Sequence, residues 1–221
     1  MRPKEAVIYC NEKFLRILTC SYSGWSQGDP YGEDVYLDPL ADYKTVGESL
    51  LKAFAKSRDV SISEEDRQFY IDKKLTREDI LKKYPDQEMF EIAACMERYK
   101  DWQQRMMKEY EYKTKTALLK NMQHVSVEND SDSITFSSLW HLTTDSWGDP
   151  DGKTPSVEMK IASTSSIEVI GAAVRYAIGN CQGKGADFIR KLLFPDGQPE
   201  TFEQYLESLG FCMRGGDWKN L

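Results

Sequence analysis

Two histidines and five cysteines are the residues of this 221-residue chain best suited to nucleophilic or metal chemistry. His124 and His141 lack a Glu or His at the spacing that a metalloprotease helix requires. The cysteines include no Cys-x-x-Cys pair, so the sequence predicts neither a thiolate zinc site nor a disulfide framework. We therefore expect no metal and no cofactor, reduced cysteines that lie mostly in the core, and a structural His124 with satisfied hydrogen bonds. The cysteines are Cys10, Cys20, Cys95, Cys181 and Cys212.

A Cys–His pair is the nucleophilic arrangement that remains open. His141 and Cys181, together with a nearby acidic loop, would make this a small cytosolic hydrolase or transferase if the two side chains met in a pocket. Scattered cysteines offer such pairings in any sequence, so this enzyme is the alternative hypothesis.

The acidic loop contains Asp145, Asp149 and Asp151. Asp149 precedes a Pro and is expected to bond its own turn, which leaves Asp145 and Asp151 free to face a basic partner. The segment 179–185 superficially resembles a phosphate-binding loop. However, it lacks the Ser or Thr after its Lys and follows a helical pattern, so we interpret it as a helix end and connection.

Composition and charge restrict the possible partners. With 40% hydrophobic and 29% charged residues the chain should fold, and a formal charge of −7 argues against binding to nucleic-acid phosphates or anionic lipid. Residues 121–221 hold 14 acidic against 8 basic residues, so the second half carries most of the excess acid. No apolar run is long enough to span a bilayer, and a cytoplasmic protein is the expectation.

An internal repeat, at about 6–58 and 124–181, dominates the organisation of the chain. Each copy has a hairpin, a Trp followed by a Gly-Asp-Pro-x-Gly turn, a third strand and a helix. Val35 follows Trp25 by 10 residues, and Val157 follows Trp147 by the same 10. Both tryptophans are expected to be core residues.

The two repeat helices share one pattern. Asp42 and Ser166 are candidate N-caps, each five residues before a glycine, Gly47 or Gly171. The sequence thus predicts one α/β domain of the α+β type over 1–221. Its mostly antiparallel sheet comes from two similar strand-strand-strand-helix units, with a helical insertion at about 59–120 and a helical tail at about 183–221.

The insertion has no Gly or Pro between 86 and 119, which predicts one long helix there. Apolar and aromatic residues recur at spacings of 3 and 4, including Met96, Tyr99 and Met106, and are typical of a packing seam. A scaffold protein that docks partners through this seam is a third hypothesis. In the tail, Thr201 and Gln204 match a capping box, and Gly210 should end that helix.

Four segments together resemble a known family. The run 112–122, the hairpin 125–136, the Trp147-Gly-Asp loop and the helix from Ile167 to Cys181 are similar to the CdiI-like immunity proteins of bacterial contact-dependent growth inhibition (CDI) systems. This resemblance implies a cytoplasmic antidote that binds the toxin domain at the C-terminus of a large surface-exposed filamentous protein. Toxins paired with the family include RNA-cleaving domains of EndoU-like or RNase A-like kinds.

The resemblance suggests where such a partner would bind. A ribonuclease needs a basic cleft for RNA, and an acidic protein could occlude that cleft. The candidate toxin-binding residues are Tyr31, Glu33, Asp34, Asp145 and Asp151. No catalytic residue, direct nucleic-acid contact or membrane contact is expected. The identity of the toxin, inhibition at its active site or at an exosite, and the oligomeric state stay open.

Overall fold

The structure, a computed structural model, describes residues 2–23, 26–143, 146–148, 157–214 and 217–220. The strands are β1 (Lys4–Cys10), β2 (Leu15–Tyr22), β3 (Ser26–Gly28), β4 (Asp34–Leu37), β5 (Gln123–Asn129), β6 (Ser133–Ser138), β7 (Trp140–Thr143), β8 (Ser146–Gly148), β9 (Val157–Ala162), β10 (Gln182–Gly183), β11 (Phe211–Arg214) and β12 (Asp217–Asn220). The helices are α1 (Tyr43–Lys56), α2 (Glu64–Ile71), α3 (Arg77–Lys83), α4 (Gln87–Phe90), α5 (Ile92–Glu109), α6 (Lys115–Leu119), α7 (Ile167–Asn180), α8 (Ala186–Leu193) and α9 (Phe202–Ser208).

The main sheet is antiparallel and nearly symmetric about its centre. Its order is β3-β2-β1-β5-β6-β9, with β4 paired to the other end of β2. The first strands of the two copies, β1 and β5, pair along their whole length from Lys4–Asn129 to Cys10–Gln123. The α+β fold class, built from two similar units with a helical insertion, is therefore confirmed.

The two repeat helices cross very closely. A Cβ atom added to Gly47 would lie 2.1 Å from the carbonyl oxygen of Ile167, and one added to Gly171 would lie 1.8 Å from that of Tyr43. Each glycine thus contacts the first residue of the other helix. Asp42 and Ser166 cap the helices as predicted, each accepting from a backbone N–H three residues on.

Strand alternation divides the side chains between two faces of the sheet. On one face, Ala6, Ile8 and Ile17 are buried under α1 and α7 in the main core. On the other face, a smaller cluster around Phe14 and Met106 joins α5 and α6 to the first repeat.

The insertion is helical but does not form one long helix. The chain leaves helical geometry at Glu91, with ψ at 146°, and Glu111 has a positive φ of 56° before α6 begins. Neither break lies at a Gly or Pro, so the composition of the segment does not mark them. The predicted seam is also partly wrong, since Met96 is 56% exposed whereas Met106 is buried.

The tail is helical through α9, which has the predicted capping box of Thr201 and Gln204. The chain then turns at Gly210, with φ at 80°, and forms the β11–β12 hairpin instead of further helix. The first Gly-Asp-Pro turn is formed, with Gly32 N–H bonded to the Asp29 carbonyl. Trp25 and the second turn lie outside the described residues.

We predict that Gly171→Ala destabilises the fold, although alanine is the better helix former by about 1 kcal/mol. The new methyl group would overlap the Tyr43 carbonyl, so the free energy of unfolding should fall by about 3 kcal/mol. Urea unfolding at pH 7 measures the change, with the exposed α1 substitution Lys52→Ala as the control. A Gly171→Ala protein as stable as the wild type would show that the two helices can separate at low cost.

Candidate functional site

A cavity of about 630 Å³ lies between the sheet and α5. Its floor is the face of β1 and β2 that points away from the main core, and α5 forms the opposite wall. The floor consists of Val7, Tyr9, Arg16, Leu18 and Cys20. The α5 wall consists of Cys95, Arg98, Tyr99, Asp101, Trp102 and Arg105.

The spacing of residues in each element explains this lining. In strands, alternate residues share a face, which brings Val7 and Tyr9 of β1 beside their partners Leu18 and Arg16 of β2. On α5, steps of three and four residues place Cys95, Arg98, Tyr99, Trp102 and Arg105 along one side.

Arg16 is the central charged group of the cavity. Its side chain is almost fully buried, and the guanidinium carbon lies 4.6 Å from the centre of the Trp102 ring. Arg16 Nε donates to Asp34 Oδ1 at 2.6 Å, and Arg105 Nη2 donates to Asp34 Oδ2 at 3.3 Å. Asp34 is therefore shared between two arginines instead of standing free.

A second ion pair holds the loop at the rim of the cavity, residues 29–33 between β3 and β4, which we call the rim loop. The buried Asp29 accepts from Arg58 Nε at 2.7 Å and Nη2 at 3.2 Å, from Ser21 Oγ at 2.6 Å and from Tyr31 N–H at 2.9 Å. Burial alone would raise the pKa of Asp29, but the hydrogen bonds from Arg58, Ser21 and Tyr31 outweigh it and lower that pKa.

Tyr31 projects from this rim loop. Its side chain is 61% exposed, and the Arg58 guanidinium lies 5.2 Å from the ring centre. Arg58 also donates to Asp86, so one side chain ties the rim loop to the insertion. The loop is consequently held in place before any partner arrives.

His124 lies against the floor, 4.6 Å from the Tyr9 ring centre and edge-on to Trp147. The expectation of satisfied hydrogen bonds is wrong, because neither buried ring nitrogen has a partner among the described residues. Burial disfavours the charged imidazolium and lowers the pKa of His124 to about 4. The ring is therefore neutral at pH 7 and packs as an aromatic residue.

Three of the candidate partner-binding residues are described. Tyr31, Glu33 and Asp34 lie on or beside the rim loop, where the Glu33 N–H bonds Thr19 Oγ1 at 2.9 Å. Asp145 and Asp151 lie outside the described residues.

His141 and Cys181 do not form a nucleophilic site. The Cys181 thiol lies 3.4 Å from the His124 carbonyl oxygen, and burial raises its pKa to about 12. His141 is buried, stacks on Trp147 and places Nδ1 at 2.8 Å from the Lys184 carbonyl oxygen. Neither residue lines the cavity, so the pair lacks the accessible thiolate that nucleophilic catalysis requires.

Three of the five cysteines are buried, as predicted: Cys10, Cys20 and Cys181. Within the part of the chain that the structure describes, no group of three or more His, Cys, Asp or Glu side chains could hold a metal ion. No helix in that part is long and apolar enough to cross a membrane.

Sequence reasoning did not identify the cavity, although a comparison of the two repeats contains a signal for it. Val7 and Leu18 form a cross-strand pair in the first copy, and the corresponding pair in the second copy is Ser126 and Ser137. This face of the sheet is apolar in the first copy and polar in the second. The difference indicates that a further segment of the chain covers the first copy but not the second.

Comparisons with known proteins agree on one family. A family model described as CdiI, CDI immunity protein, matches residues 4–181. Immunity protein CdiI-YPIII of Yersinia pseudotuberculosis serotype O:3 is 29% identical over 180 residues, which span 80% of this chain and 95% of that protein.

Two solved structures share the fold. A Neisseria meningitidis protein of unknown function has a TM-score of 0.64 and 25% identity, over 82% of this chain and 96% of that chain. A CdiA-CT/CdiI toxin and immunity complex from Yersinia pseudotuberculosis has a chain with a TM-score of 0.66 and 24% identity, over 82% of this chain and 99% of that chain.

We predict that acid destabilises the protein partly through His124. In the unfolded chain His124 binds a proton below its ordinary pKa near 6.5, whereas in the folded chain it stays neutral until about pH 4. The free energy of unfolding therefore falls as the pH falls from about 6.5 to about 4. This one group should cost about 2 kcal/mol between pH 7 and pH 5. His124→Phe should lose that part of the pH dependence, as measured by urea unfolding at both pH values. Equal pH dependence in the two proteins would contradict a buried neutral His124.

Proposed function

The chain belongs to the CDI immunity protein family, and on that premise we propose that it binds and neutralises a cognate CDI toxin domain. The observation that carries the proposal is the family match over residues 4–181, which include both repeats and the insertion between them. The relative named as an immunity protein, and the shared fold of a chain solved in a toxin and immunity complex, support it. The role is stoichiometric binding, without catalysis.

We further propose that the toxin contacts Tyr31, Glu33, Asp34, Asp145 and Asp151. An exposed aromatic residue on a pre-formed loop costs little conformational entropy on binding, and tyrosine is enriched among the residues that dominate interface energies. Tyr31 has both properties, since it is exposed and its loop is held by Arg58 and Asp29. It is the aromatic anchor of the proposed interface.

The proposed toxin is a ribonuclease whose basic RNA-binding cleft this chain occludes. The formal charge of −7 and the acidic balance of residues 121–221 would attract such a cleft over long range and accelerate capture. The action is assigned to the cytoplasm, where the RNA substrate is found, without direct contact to nucleic acid or membrane.

Co-expression with the toxin domain encoded immediately upstream of this gene tests the proposal. We expect cell survival and a stoichiometric complex on co-purification, whereas the toxin alone should kill the cells. Purified toxin should degrade RNA, and the complex should not. Killing in the presence of this chain, with no complex, would refute neutralisation. Cleavage of DNA instead of RNA would refute the ribonuclease assignment and leave the pairing intact.

We predict that the double charge reversal Asp145→Lys and Asp151→Lys weakens toxin binding at least about tenfold. The loss should be smaller at high salt, because screening removes the charge term. Calorimetry at two salt concentrations measures the affinity, and circular dichroism checks that the fold is intact. An unchanged affinity would remove the acidic loop from the interface.

We predict that Tyr31→Ala lowers toxin affinity by about tenfold or more and acts mainly on the dissociation rate. Tyr70 is 47% exposed on α2, so Tyr70→Ala is a matched control that removes a similar ring from another surface. Surface plasmon resonance with immobilised toxin compares the two variants. Equal affinities for the two would show that Tyr31 is not an anchor.

A further inference from the structure

Three arginines and three aspartates line the cavity: Arg16, Arg98 and Arg105, and Asp29, Asp34 and Asp101. Arg16 and Arg105 share the single carboxylate of Asp34. Arg98 donates to the Met89 carbonyl oxygen and lies 3.2 Å from Cys95 Sγ, and it has no carboxylate partner among the described residues. Asp29 pairs with Arg58, which does not line the cavity, and the side chain of Asp101 is exposed to solvent. Among the described residues, Arg98 is therefore the lining arginine that is left to bind an anion.

The same cavity offers apolar and aromatic surface. Val7 and Leu18 of the floor are half-buried, because α5 does not pack directly on them. On the opposite wall, Tyr99 and Trp102 stack with ring centres 5.4 Å apart. Incompletely covered apolar groups beside stacked rings provide a binding surface for a flat hydrophobic body.

The volume limits the size of the occupant. About 630 Å³ lies within the range of small-molecule sites, which combine apolar walls with a few oriented polar groups. A planar guanidinium is well suited to binding carboxylate or phosphate through paired hydrogen bonds.

We propose that this cavity binds small aromatic anions, with the ring between Leu18 and the Tyr99–Trp102 stack and the anionic group on Arg98. The ligand class is an aromatic carboxylate or phosphate. This site is additional to toxin neutralisation and does not depend on it, since the recognising groups belong to the free chain.

Calorimetric titration of the purified chain with meta-nitrobenzoate and with its neutral counterpart meta-nitrobenzamide tests the proposal. The two probes share size and ring, so their difference reports the charge. We expect meta-nitrobenzoate to bind at least about tenfold more tightly than the amide, as a charge-assisted hydrogen bond predicts.

Variants of Arg98 locate the anionic subsite. Arg98→Met should abolish the preference for meta-nitrobenzoate, and Arg98→Lys should restore most of it. Arg77→Met is the matched control, because Arg77 pairs with Glu91 on an exposed surface and does not line the cavity. Thermal unfolding verifies that each variant is folded.

Any of four results would overturn the proposal. These are no binding of meta-nitrobenzoate to the wild type, equal affinities for the two probes, a preference that Arg98→Met retains, and a preference that Arg77→Met loses. The titration requires no toxin. Its failure would leave the proposed neutralisation standing, and failure of neutralisation would leave this site standing.

Discussion

The close crossing of α1 and α7 is the constraint on which the rest of the fold depends. Gly47 of α1 contacts Ile167, the first residue of α7, and Gly171 of α7 contacts Tyr43, the first residue of α1. Glycine is required at both positions because a Cβ atom there would overlap a backbone carbonyl oxygen of the other helix. At this distance both helices fit side by side over the central strands β1 and β5. The two repeats therefore share one continuous sheet and one main core, and neither repeat has a complete core of its own.

The candidate site lies where this symmetry ends. The insertion between the repeats covers the outer face of the first copy, and the corresponding face of the second copy carries Ser126, Thr135 and Ser137. The first copy has Val7, Arg16 and Leu18 at the matching strand positions. Because Arg16 occupies the space between the sheet and Trp102, α5 does not close on the strands, and the cavity remains.

Local signals were sufficient to predict the repeated elements. Hydrophobic alternation predicted the hairpins, and side-chain caps such as Asp42 and Thr201 predicted helix starts, because each signal acts within a few residues. The insertion was harder, since the breaks at Glu91 and Glu111 carry no Gly or Pro that would mark them in the sequence. The cavity was not predicted because it depends on the distance between α5 and the strands. The Arg105–Asp34 pair joins residues 71 positions apart.

Net charge and local charge act at different distances in this protein. The excess acid of the second half acts over roughly 8 Å in physiological salt, and so it affects how a charged partner approaches. The arginines of the cavity affect a ligand through direct hydrogen bonds. The charge of Asp34 is likewise local, because a cation that approached it would have to compete with Arg16 and Arg105. At an interface formed by the rim loop, Asp34 would therefore serve as a fixed hydrogen-bond acceptor beside the Tyr31 anchor. Glu33, which forms no ion pair with described residues, would make an adjustable contact.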